Sequence, residues 1–91
     1  MKFEDLKFVK YLDGVQALEP FGQYELSVIR HSSSYGGKQG LYEIGVFNWH
    51  KDMVSLPGIT EDGDSVKGFL TEEEVSAILL KMKTITGPDN E

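Results

Sequence analysis

Two alternating runs, Tyr24–Arg30 and Leu41–Phe47, constrain what this chain can become more than any other feature. In the first, Tyr24, Leu26 and Val28 share one face of an extended chain and Glu25, Ser27 and Ile29 share the other. In the second, Tyr42, Ile44 and Val46 line one face, and Leu41, Glu43 and Phe47 the opposite one. Between them lies His31–Gly40, rich in serine and glycine. Two strands so joined make an antiparallel pair with a long loop.

An apolar sheet face needs a cover, and the C-terminal part of the chain supplies one. Thr71 stands at an N-cap position with Glu74 three residues on, a capping box, and Leu70 and Val75 are placed for a hydrophobic staple. Glu72, Glu73 and Glu74 suit the positive end of a helix dipole, and Lys81 and Lys83 the negative end. Val75, Ile78, Leu79 and Met82 fall on one stripe, which predicts the sheet-facing side. Gly87-Pro88 ends the helix.

The remaining segments give weaker signals. Lys7–Tyr11 and Val15–Glu19 read as short strands about an Asp13-Gly14 turn, with Pro20–Gln23 as the connection onward. Met53-Val54 reads as an edge strand and Pro57–Gly68 as an acidic, turn-rich stretch. The expectation is a single domain, residues 1–91, of α+β class: a small antiparallel sheet of three to five strands covered on one face by a C-terminal helix.

Composition narrows the function classes. The 91 residues contain no cysteine, which favours a reducing, intracellular setting for a domain this small. The opening segment carries acids and no apolar core, unlike a signal peptide, and no apolar run is long enough to span a bilayer. The formal charge is −6, and residues 46–91 hold nine acids against four bases. That balance disfavours binding to bulk DNA or RNA.

Catalytic and metal signatures are absent from the sequence. His31 and His50 lie in different segments and lack zinc-ligand spacing. Gly36-Gly37-Lys38-Gln39-Gly40 has neither P-loop nor dinucleotide spacing and sits between strands. A calcium loop started at Asp62 would put Val66 and Lys67 where a ligand and the essential glycine belong. Ser32, Ser33 and Ser34 beside His31 form no nucleophile elbow. The chain is expected not to be an enzyme and to need no cofactor and no metal.

One segment gathers donors in this acidic chain. Arg30, His31, Ser33, Ser34, Tyr35, Gly36, Gly37 and Lys38 bring together a guanidinium, an imidazole, hydroxyls, a phenol and an ammonium. Glycines let backbone N–H groups converge on an anion, Arg30 and the serines add donors, and Tyr35 can stack on a base. The plain alternative is an ordinary long hairpin loop. A second group, Trp49 with Glu61, Asp62 and Asp64, offers an aromatic and acidic surface to a protein partner, although a tryptophan so placed more often fills a core or an edge.

Several of these residues recur together. Tyr24–Arg30, then Ser34-Tyr35-Gly36-Gly37, Gly40-Leu41-Tyr42-Glu43, Gly58-Ile59-Thr60 and Val66-Lys67-Gly68-Phe69-Leu70-Thr71-Glu72-Glu73-Glu74-Val75 resemble a group of small bacteriophage proteins of unknown function. The resemblance spans residues 3–85 and departs from the group's pattern between Asn48 and Leu56 and in the acidic turn. It implies a protein that works in the cytoplasm of an infected bacterium and counters host defence. Two readings follow. In one, the Arg30–Lys38 segment sequesters a nucleotide-like anionic signal, with two chains sharing one site as a homodimer. In the other, the chain inhibits a host bacterial protein, with Glu61, Asp62, Asp64, Glu72 and Glu73 mimicking nucleic acid. A minor virion component is the third reading.

Overall fold

A computed structural model of the chain describes residues 1–87. Within them five strands pair in chain order, every neighbour antiparallel: β1 (Val9–Tyr11), β2 (Gly14–Phe21), β3 (Tyr24–Arg30), β4 (Tyr42–Asn48) and β5 (Val66–Leu70). One helix, α1 (Glu72–Thr86), follows, so the fold is a five-stranded antiparallel sheet covered by a C-terminal helix.

The alternation anticipated for β3 and β4 holds. Leu26, Val28, Ile44 and Val46 are fully buried beneath α1, whose Val75, Ile78, Leu79 and Met82 make the opposing layer. Thr71 caps the helix: its hydroxyl accepts from the Glu74 N–H at 3.1 Å, and the Glu74 carboxylate accepts from the Thr71 N–H at 2.8 Å. Leu70 and Val75 are both buried at that junction, as a staple requires. The helix runs to Thr86 with Gly87 after it, while Pro88 lies outside the described residues. The N-terminal segment fastens to α1 where the Phe3 N–H donates to the Ser76 hydroxyl at 2.8 Å.

The structure corrects three boundaries. β2 continues through Pro20 and Phe21 and turns at Gly22-Gln23. Pro20 is tolerated because β1 covers only the first residues of β2, so its nitrogen faces an unpaired edge. Met53 makes an isolated bridge to Phe47 rather than a strand. Part of the stretch read as turn is β5, which carries a bulge: Tyr42 pairs with Leu70 and Ile44 with Lys67, leaving Gly68 and Phe69 opposite Glu43 alone.

Because Leu79 is wholly enclosed, Leu79→Ala is expected to cost roughly 2–4 kcal/mol. Thr71→Ala is expected to cost about 1 kcal/mol through the lost cap. Urea unfolding measures both, and an unchanged midpoint for Leu79→Ala would show that the helix packs by another face.

Candidate binding surface at one end of the sheet

The His31–Gly40 loop leaves the sheet beyond Arg30 and returns at Tyr42, and it is held together from within. Ser34 organises its first turn, its hydroxyl accepting from the His31 N–H and donating to the His31 carbonyl, both at 2.9 Å. The His31 Nδ1 accepts from the Ser33 N–H at 3.1 Å. Gly37 donates to the Ser34 carbonyl, and Gln39 and Leu41 both donate to the Gly36 carbonyl.

Two carboxylates tie this loop to its surroundings. The Ser32 N–H donates to Asp13 at 3.0 Å, and the Tyr35 N–H donates to Glu43 at 2.8 Å. The Ser32 hydroxyl and then the Ser32 N–H hold the Asp13 carboxyl below its ordinary value, with smaller help from charge at His31.

These bonds bear on the anion-binding reading. Its backbone donors at His31, Ser33, Ser34, Tyr35 and Gly37 are engaged by the protein's own acceptors. The loop does not present Gly36 and Gly37 as a nest of free N–H groups. Arg30 does not join it either. Its guanidinium lies 5.2 Å from the Tyr42 ring centroid, and Tyr42 packs with Phe3 and Phe8 on the helix side of the sheet. Glu43, which holds Tyr35, pairs with Ile29 and so belongs to the other side. Arg30 and Tyr35 are thus anchored to opposite faces.

The loop instead packs flat on the β5 bulge. The Phe69 N–H donates to the Tyr35 carbonyl at 3.1 Å. A Cβ on Gly36 would stand 2.9 Å from the Phe69 Cα, and one on Gly68 would collide with the Tyr35 Cβ. The two glycines are what let loop and strand touch. They explain in packing terms why the Ser34–Gly37 and Val66–Leu70 segments go together.

The contact leaves two rings outside. Tyr35 is 59% exposed and Phe69 54%, and with Ser32, Ser34, Lys38 and Gln39 they border an open recess of about 250 Å³. Phe69 has φ of 57°, a left-handed conformation that L-residues with large side chains rarely adopt and that costs on the order of 1–2 kcal/mol. Among the described residues Lys38 has no ion pair. Phe69 was missed in the sequence because no residue pattern announces a positive φ at a phenylalanine.

The second group lies away from this loop. Trp49 lies beyond the Asn48 end of β4, opposite the loop end. It is 69% exposed and stacks on His50 at 4.0 Å, so it is not the core or edge filler expected. Glu61 pairs with Lys67 at 3.5 Å, and the Lys81 ammonium lies 3.4 Å from the Gly58 carbonyl. Bases therefore interrupt the acidic surface around Asp62 and Asp64. A concavity of about 670 Å³ is an open trough between Phe3 and α1 bordered by Glu4, Glu72 and Glu73. Among the described residues no acids, histidines or cysteines cluster as a metal site.

Two outcomes test this construction. Phe69→Gly is expected to raise stability by up to about 1 kcal/mol, since glycine adopts positive φ without strain. A clear loss would mean that the ring is needed for packing. A carboxyl with a depressed folded value adds stability above its unfolded value and loses it as pH falls through the folded one. The Ser32 amide resonance is therefore expected to titrate with a midpoint below the ordinary aspartate value and to lose that titration in Asp13→Ala.

No family model matches the chain, and no curated protein or solved structure matches it.

Proposed function

We propose that this chain is a small non-enzymatic protein of the phage type it resembles, and that it counters host defence by docking on a host bacterial protein through the Tyr35–Phe69 edge. The observation that carries this reading is Phe69 itself. A large ring is kept half in water on a left-handed backbone, next to a second exposed ring. Strained, exposed aromatics cluster where proteins make contacts, and aromatic anchors dominate interface energies. The unpaired Lys38 ammonium adds a charge that suits an acidic group on the partner.

Sequestration of a nucleotide-like signal is the second reading. Two exposed rings can stack on a base, and Lys38 can meet a phosphate. It is the weaker one, because most of the loop's backbone donors are engaged internally and the recess is open and small beside the roughly 300–1,000 Å³ of ligand pockets. The acidic-mimicry form of inhibition is weakened by Lys67 and Lys81, which break up the acidic surface.

Affinity capture from bacterial lysate with the wild type and the Tyr35→Ala/Phe69→Ala variant tests the proposal. Both side chains are exposed, so the variant should fold. Loss of an aromatic anchor typically costs at least about 2 kcal/mol, roughly thirty-fold in affinity, so a specific partner is expected to be lost. If capture survives both substitutions, the edge is not the docking site. If calorimetry instead shows a linear or cyclic nucleotide binding below millimolar, and Lys38→Ala abolishes it, sequestration replaces docking.

A further inference from the structure

Among the described residues one helix covers one face of the sheet, and no element covers the other. Ladder register places Val9, Leu18, Ile29, Phe47 and Val66 on that side, with Met53 folded across Gly45 beside them. Val9 is 63% exposed, Leu18 50% and Met53 47%. Side chains here crowd closely enough to bury Ser27 at the centre, where its hydroxyl accepts from the Gln16 amide at 3.2 Å. Single exposed apolar residues are ordinary, but here Val9, Leu18, Ile29, Phe47 and Val66 recur on one side of all five strands, with Gln16, Ser27, Glu25 and Glu43 set among them.

We propose that a second copy of this chain covers this face, sheet against sheet, in a two-fold dimer. Charge is the first argument. The chain carries −6, so self-association is opposed unless the contact is locally neutral. This face comes near that. Of its two strand carboxylates, Glu25 pairs with Lys51 at 3.5 Å, while Glu43 accepts the Tyr35 N–H and keeps its charge, leaving one uncompensated negative charge per copy. The helix acids Glu72, Glu73 and Glu74 belong to the element on the covered side, which keeps them away from the contact.

Area is the second argument. Five strands spaced about 4.8 Å apart, with residues rising about 3.3 Å, give a face of roughly 20 by 23 Å. Two copies would then hide roughly 900 Å² in projection, and more once side-chain relief counts. This comes close to the lower limit of about 1,000 Å² for a specific interface. Aligned sheets interdigitate side chains in this way when they pack face to face. A contact at this lower size limit suits a weak dimer, sought here in the micromolar range.

Sedimentation equilibrium of the full chain, from about 10 μM to about 1 mM to bracket that range, tests the proposal. A concentration-dependent shift from monomer to dimer is expected, and Leu18→Glu and Met53→Glu should each leave a monomer with unchanged circular dichroism. Leu80→Glu, on the 63%-exposed outer side of α1, should dimerise as the wild type does. A chain that stays monomeric throughout overturns the proposal and leaves the face to another partner. A dimer that survives both face substitutions uses a different surface and overturns it equally. All these variants keep Tyr35 and Phe69, so a lost dimer reports on the sheet face and not on those two rings.

Discussion

A single helix can cover a single face of a sheet, and the rest of this molecule follows from that limit. The cover rests on Val75, Ile78, Leu79 and Met82 meeting Leu26, Val28, Ile44 and Val46. Everything that stabilises the domain by apolar burial converges on that layer. Leu6, Leu56 and Ile59 close its rim from the N-terminal segment and from the connection before β5. In a domain of this size net stability is of order 5–15 kcal/mol, so one layer must outweigh the chain entropy of the whole fold. The bare face and the exposed ends contribute little to that balance, which frees their residues for contacts with other molecules.

What the sequence made legible is what periodicity encodes. The helix, its cap and its buried stripe were readable because spacing, cap chemistry and charge agreed. The inward faces of β3 and β4 were readable for the same reason. The turn of Arg30 toward the helix side was encoded too, since Arg30 shares parity with Leu26 and Val28. Chemical reasoning that grouped it with its loop neighbours passed over that geometry. β5 was not legible. Its bulge sets Lys67 and Leu70 on the same side although they are three residues apart, so the alternation that identifies a strand is broken at Gly68-Phe69. Trp49 was misread because a large ring raises the expectation of burial, and nothing local showed that the chain turns at the end of β4.

The Ser34–Gly37 and Gly68–Phe69 segments shift from a ligand question to a packing question once they are seen together. Loops rich in serine, glycine and lysine resemble anion sites by composition, but the decisive matter is where the N–H groups point. Here Asp13 and Glu43 accept from Ser32 and Tyr35, the role that anion oxygens play in a nest. The chain satisfies its own loop with its own carboxylates. That rigidity suits the loop to hold Tyr35 outward as a fixed anchor.

The bulge in β5 explains why one residue there takes a positive φ, but not why that residue is phenylalanine. Without the bulge, strict alternation from Val66 on the bare face would turn Leu70 outward as well. Leu70 would then lose its place in the core beside Val75, and the staple at the start of α1 would fail. The extra residue restores Leu70 to the core and sends Phe69 into the left-handed region. A glycine would fill that position without strain. Gly68, immediately before it, is held to glycine by close approach to Tyr35 rather than by its own backbone angle. Folding therefore accounts for the bulge and for Gly68, and it leaves the half-exposed Phe69 ring as the part of this junction open to the docking proposed above.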